Sequence, residues 1–326
     1  MESDNVDVAS EKGAEYLVVG GKDSMEIHRL SVDTATLAYA IFGSGKIDMV
    51  IEMGLGAVMG EWWNLARRLS AHHTILLYER AGYGSSSMST LERTPENVAK
   101  ELYILMQQLG CDDQVTFLAH SQGGLYAQQF ARLYPSFVRK LVLLDPLSPD
   151  DNRFRSELTA SEFRKSGADK TAGLRINLWL SRLHMGWLVR KMMSAAPPFY
   201  YCNGFSEEQK EYILAAISKP QIYETALEEY QKAHDPEVLK GLKGAEGFPQ
   251  IPVVLITHDS KIEEKEIMDF GGASREEAEI IEKLWQEIMC EYLTFSSQST
   301  HLRAANSSHY IHLTDGELVY ELLKKK

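Results

Sequence analysis

VTFLAHSQGGLYAQQFARLYP, Val115 to Pro135, starts as an apolar run, halts at His120 and Ser121, and restarts after two glycines with helical spacing. A short apolar run bounded by small residues is a buried strand, and the 3.6-residue rhythm after it is a helix. The junction is therefore a sharp strand-to-helix turn, at which Ala119, Gly123 and Gly124 leave room for backbones to approach. A serine at such a turn is lifted over the C-terminal edge of a sheet, with a helix N-terminus aimed at whatever it attacks. The plainer reading is a glycine-softened turn whose serine only caps the helix.

Working outward, short apolar segments alternate with amphipathic ones, the pattern of a mostly parallel sheet covered by helices on both faces. MEIHRLSV and ATLAYAIFGSG read as two opening strands joined by a hairpin. IDMVIEMG, HTILLYER, QVTFLAH and VRKLVLLD read as further strands. TPENVAKELYILMQQLG is a helix with Thr94 as its cap, Pro95 in the first turn, Val98, Leu102, Leu105 and Leu109 on one face, and Gly110 ending it. Beyond Pro146 the rhythm becomes helical. It returns to strand at IPVVLITHD and continues through the helix ASREEAEIIEKLWQEIMCEYL, the strand THLRAANSS and the helix GELVYELLKK. The expected fold class is α/β, an eight-stranded, mostly parallel sheet with an inserted helical cap. The expected parts are a flexible tail over 1–14, a core over 15–147 and 247–326, and a cap over 148–246. His72 and His73 read as surface residues.

The chain has 326 residues, 44% hydrophobic and 25% charged, with a net charge of -12. An acidic balance argues against nucleic acid, whose phosphates demand clustered Lys and Arg. Small-molecule substrates are the expected partners, and composition leaves the oligomeric state open. Cys111, Cys202 and Cys290 are widely spaced and odd in number, which suggests neither a disulfide framework nor a zinc site. The N-terminus lacks the basic and apolar regions of a signal peptide, and no run reaches the roughly 18 apolar residues of a membrane span, so the expectation is a cytoplasmic protein without stable membrane insertion. The basic and apolar stretch Leu174 to Met193 is a candidate for membrane contact all the same. The cap carries Trp179, Trp187, Phe199, Tyr200 and Tyr201. They suit an apolar acyl or alcohol pocket, or the packing of cap on body.

Ala119-His120-Ser121-Gln122-Gly123 resembles the nucleophile elbow of the α/β-hydrolase superfamily, with Ala119 in place of the usual first glycine. Three further segments match in family order. MGLG, Met53 to Gly56, is similar to the early oxyanion loop; YERAGYGSS resembles the Asp-Arg-x-Gly-x-Gly-x-Ser segment; NSSHYIHL resembles the C-terminal histidine loop. Bacterial hydrolases with YDRAGxGxS and GHSxGG signatures are the nearest in flavour. Met53 stands where many members carry histidine and Glu79 where they carry aspartate, and neither position performs the chemistry. The resemblance implies Ser121 as nucleophile and His309 as base, and backbone N–H groups of Leu55 and Gln122 as the oxyanion hole. His312 is the rival base; its spacing from His309 would also suit a metal, but no third ligand is in view, and no metal or organic cofactor is expected. The acid commonly follows the seventh strand, yet Asp259 there comes a residue or two early. Asp145, ending the sixth strand, is favoured over it, as in one branch of haloalkane dehalogenases. The implied activity is a serine carboxylesterase acting on a small or medium ester with an apolar acyl part. The alternatives are the same triad on an amide, thioester, lactone or carbon–carbon bond, or a ligand-sensing receptor.

Overall fold

The apolar segments assemble into one sheet in a computed structural model that describes residues 8–11, 14–19 and 25–324. The strands are β1 Val8–Glu11, β2 Ala14–Val19, β3 Met25–Val32, β4 Ala35–Phe42, β5 Met49–Glu52, β6 Ile75–Glu79, β7 Val115–His120, β8 Val138–Leu144, β9 Val253–Thr257 and β10 Ser299–Arg303. The helices are α1 Met59–Leu69, α2 Pro95–Gln108, α3 Gln122–Leu133, α4 Arg153–Glu157, α5 Ala160–Lys165, α6 Thr171–Arg182, α7 Gly186–Met193, α8 Glu207–Ile217, α9 Pro220–Lys232, α10 Pro236–Leu239, α11 Ser260–Gly271, α12 Arg275–Cys290, α13 Ile311–Thr314 and α14 Gly316–Leu323.

Across the sheet the order is β1-β2-β3-β4-β6-β5-β7-β8-β9-β10. From β6 to β10 the pairings are parallel, and β3 and β4 join antiparallel to them. The expected eight-stranded sheet is thus β3 to β10. The hairpin β1–β2 extends it, since β2 pairs antiparallel with β3. Where a free tail was expected over 1–14, Val8–Glu11 is a strand held by Ala14–Val19; residues 1–7 and 12–13 of that expectation lie outside the described residues.

The central strands are buried on both faces, which is why they read as continuous apolar runs. Alternate side chains feed two cores: Val50, Phe117, Leu141 and Leu143 join residues of α2, α3 and α12, while Met49, Ile51, Leu118 and Val142 join residues of α1 and α14. Helix α2 has the caps its sequence demands. Thr94 accepts the Asn97 N–H at 3.2 Å, and Gly110 turns left-handed at φ 69°.

His73 departs from its reading as a surface residue. It is buried, hydrogen-bonded through Nδ1 to Asp48 at 3.1 Å and through Nε2 to the Leu323 carbonyl at 2.6 Å, tying the start of β6 to the C-terminal helix. Residues between β8 and β9 form the seven helices α4 to α10. Leu180, Ile213 and Ala226 from this insertion share a cluster with Val58 and Tyr83 of the sheet-bearing part.

Candidate active site

Ser121 closes β7 and precedes α3 with φ 53° and ψ −127°. A non-glycine residue held there costs about 1–3 kcal/mol, so the surroundings must enforce it. They do so by close approach. A Cβ on Gly123 would lie 2.3 Å from the Glu52 carbonyl oxygen, and one on Gly124 would lie 2.4 Å from Cβ of Pro146. Backbone bonds fix the turn from both sides: Ser121 N–H donates to Leu144 O at 3.1 Å, and Leu147 N–H donates to Ser121 O at 2.8 Å. The Ser121 side chain makes no capping hydrogen bond to α3, which removes the reading of a plain capping serine.

Asp145 follows β8, also at positive φ, 46°. Its Oδ2 accepts from His309 Nδ1 at 2.8 Å and from His258 Nδ1 at 2.7 Å, and its Oδ1 accepts the His258 backbone N–H at 3.0 Å. Sequence reasoning passed over His258. Its Nε2 contacts Glu282 Oε2 at 3.0 Å, and its ring packs on Trp285 with centroids 4.0 Å apart. Carboxylates can only accept, so an imidazole bridging two of them carries both protons. Burial opposes that charge, but Asp145 and Glu282 outweigh burial and raise the His258 pKa well above the usual value. Asp145 mirrors it. Burial would raise its carboxyl, but His258 and the hydrogen bonds from His258 and His309 hold it well below the ordinary range.

The other named residues fall elsewhere. Asp259 caps α11, its Oδ1 accepting the N–H groups of Lys261 and Ile262 at 3.0 and 3.3 Å. Helix α11 itself was missed; its signal was this Asp at the cap position. His312 is buried and stacked flat on Trp62 at 4.0 Å, and neither of its ring nitrogens makes a hydrogen bond to Asp145 or to any other described residue. His120 donates from Nε2 to the His309 carbonyl at 2.9 Å, fixing the loop that carries His309. Burial, helped by the nearby His309, pushes its pKa down to about 3, so it stays neutral.

The early loop is controlled by Arg80, another residue without an assigned role in the sequence reading. Its guanidinium donates to Met53 O at 2.6 Å and to Gly54 O at 2.8 Å. In a trans peptide C=O and N–H point oppositely. With Gly54 C=O turned to Arg80, the Leu55 N–H of the same peptide faces away from it. The loop lies against the elbow, since a Cβ on Gly54 would be 3.3 Å from Ser121 Cβ. Gln122 opens α3, so its N–H has no partner within the helix; its side chain donates to Tyr126 OH.

Arg80 is buried together with its partners. It pairs with Glu52 on β5 at 2.9 Å and with Glu229 on α9 at 3.1 Å, and Tyr83 OH also donates to Glu229, at 2.6 Å. One cation thus joins the sheet, the early loop and the inserted helices. Burial raises Glu52 to about 6 against the pull of Arg80. Glu79, standing where the superfamily has aspartate, accepts from the N–H groups of Ser85 and Met59 at 2.6 and 3.2 Å and from Tyr212 OH at 2.7 Å. The longer acid therefore reaches the start of α1 and the inserted α8 together.

Ser121, Gln122, Leu55, Asp145 and His309 all line one cavity of about 780 Å³. Leu174, Met193, Ile217, Ile222 and Tyr223 from the insertion supply apolar wall. Glu61 also faces it, buried, with Oε1 accepting the Val58 N–H at 3.2 Å. Burial, only partly offset by that bond, pushes its carboxyl up to about 8. Trp179 and Trp187 neither line the cavity nor pack the insertion down: they are 62% and 64% exposed. Helix α6 turns Leu178 and Leu180 inward, which leaves Trp179 on the outer side.

Comparison with known proteins agrees with this architecture. The mouse (lyso)-N-acylphosphatidylethanolamine lipase is 31% identical over 105 residues, 31% of this chain and 30% of that one. The chain spans between 28% and 45% of the length of the first curated relatives it matches. Among solved structures, the epoxide hydrolase CorEH superposes with a TM-score of 0.63 at 17% identity, over 91% of this chain and 96% of that one. A thermophilic esterase from Thermogutta terrifontis superposes with 0.58 at 16% identity, over 91% and 97%. The sequence profile described as alpha/beta hydrolase fold matches residues 49–253, and the chain belongs to that family.

Proposed function

We propose that the protein is a serine hydrolase, a carboxylesterase for small or medium esters with an apolar acyl part. Ser121 Oγ attacks the ester carbonyl while His309 takes its proton. Asp145 keeps the His309 tautomer whose Nε2 is free to do so and stabilises the imidazolium that forms. The N–H groups of Leu55 and Gln122 hold the oxyanion as it develops. His309 then gives its proton to the departing alcohol, and water activated by the same base releases the acid. Residues 148–246 act as the cap that bounds the acyl site.

The observation that carries this reading is the 2.8 Å hydrogen bond from His309 Nδ1 to Asp145 Oδ2, made beside a strained Ser121 that opens on the same cavity. A serine rather than an aspartate at the elbow favours acyl transfer over epoxide or halide opening, where an aspartate would form the ester. The lipase relative and the esterase neighbour are consistent with an acyl substrate.

The test is labelling with a fluorophosphonate probe, followed by nitrophenyl esters of increasing chain length. Labelling with turnover is expected, and Ser121→Ala should abolish both while leaving the circular dichroism unchanged, because its hydroxyl makes no capping bond. A mutant that still labels refutes the nucleophile. Labelling without turnover of any ester would favour another bond or a receptor.

A further inference from the structure

Helices α6 and α7 present an apolar outer face. Ile176, Trp179 and Leu183 are exposed and recur at i, i+3 and i+7, one stripe of a helix. Trp187 and Met192 on α7 are exposed as well. Two tryptophans more than half exposed on adjoining elements form a patch of the kind that marks an interaction site, since scattered single apolar residues are the norm elsewhere on a surface. The patch adjoins the cavity. On the inner side of α6, Leu174 and Asn177 line it. At the rim Phe270 lines it too while remaining 65% exposed, edge-on to the exposed Tyr200 at 5.2 Å.

Charge identifies the occupant. Residues 171–193, which make up α6, α7 and their connection, contain Arg175, Arg182, Arg190 and Lys191 and no acidic residue, in a chain of net charge -12. Arg182 and Arg190 are tied to Glu224 and Glu211 at 2.8 and 2.6 Å, and Arg175 and Lys191 extend from exposed positions. A second copy docking the same face would set these cations against each other. Tryptophan and long aliphatic side chains flanked by Lys and Arg fit the boundary between acyl chains and anionic headgroups. No described helix is long and apolar enough to cross a membrane, so contact would be with the surface. We propose that the α6–α7 face adsorbs the protein on anionic lipid surfaces, bringing the cavity rim at Phe270 and Tyr200 to water-insoluble acyl compounds.

Adsorption does not depend on the chemistry proposed for Ser121 and is read without it. The full chain is sedimented with vesicles of phosphatidylcholine alone and of phosphatidylcholine containing roughly one third phosphatidylglycerol. Binding to the mixed vesicles is expected to be about tenfold tighter and to weaken with salt. The double variant Trp179→Ser, Trp187→Ser should lose about tenfold or more in binding to the mixed vesicles. Arg175→Glu with Lys191→Glu should erase the preference for the anionic vesicles. Both variants should keep wild-type turnover of a short, soluble ester. Absence of sedimentation with anionic vesicles, or equal sedimentation of wild type and both variants, overturns the proposal. A wild-type dimer in gel filtration that either variant dissociates also overturns it and assigns the face to a second copy.

Discussion

Replacing Asp145 by Asn tests the proposed acid most directly, and its effect can be worked out from the three donors that converge there. His258 N–H points at Oδ1, while His258 Nδ1 and His309 Nδ1 both point at Oδ2. An asparagine offers one oxygen and one NH₂. With its oxygen at the Oδ1 position, the NH₂ faces both rings, and His309 must present a lone pair from Nδ1. Its proton then sits on Nε2, and the base can no longer accept from Ser121. With the amide reversed, the NH₂ meets the buried His258 N–H, leaving two donors opposed, and the anion that would stabilise the His309 imidazolium is gone in either case. A wrong tautomer and a lost counter-charge together are worth about 10⁴ in turnover, or about 5.4 kcal/mol of barrier. Asp259→Asn is the control. Asparagine caps a helix as well as aspartate does, so α11 should be retained within about 0.5 kcal/mol and turnover within about tenfold. Stopped assays on a nitrophenyl ester, with circular dichroism and fluorophosphonate labelling on the same preparations, measure both. If folded Asp145→Asn keeps turnover within tenfold of wild type while Asp259→Asn loses it, the acid is Asp259 and the reasoning from the two histidines fails.

Two further outcomes follow from the buried charges. Arg80→Lys cannot reach Glu52, Glu229 and the carbonyls of Met53 and Gly54 together, so it should cost about 3 kcal/mol in urea unfolding and lower kcat by up to about 10², with KM little changed. An unchanged kcat in a folded Arg80→Lys protein would refute the proposed part of the Met53–Gly56 loop in catalysis. For Glu61 the folded pKa of about 8 exceeds the unfolded value of 4.5. A raised carboxyl stabilises the fold below the unfolded value and loses that contribution as pH rises towards 8. Glu61→Gln keeps an oxygen for the Val58 N–H without ionising. It should match wild type near pH 4, below the unfolded value, and exceed it by on the order of 4 kcal/mol at pH 9, measured by urea unfolding at each pH. Parallel pH profiles for the two proteins would show that Glu61 ionises normally.

The sequence by itself determined the features that depend on local chemistry. The strand–Ser121–glycine junction could be read because only small residues allow the elbow's backbones to approach, and the two-face burial of β5, β7 and β9 writes itself as continuous apolar runs. The caps of α2 followed from Thr94, Pro95 and Gly110 for the same local reason. Tertiary structure decided whatever joins distant segments. Strand position favoured Asp145 over Asp259 without excluding the latter; the fold brings His309, 164 residues further on, to the first and leaves the second capping a helix. His258 looked like a strand-end residue until the sheet set it between Asp145 and Glu282. Arg80 was part of a motif with no stated task, and its role emerges only where β5, the early loop and α9 converge on one guanidinium. The tryptophans of the insertion illustrate the limit most simply. Helical spacing says which residues share a face, but whether that face meets the cavity, the core or the solvent is set by how the helix is rotated against its neighbours, and here Leu174, Leu178 and Leu180 claim the interior and turn Trp179 outward.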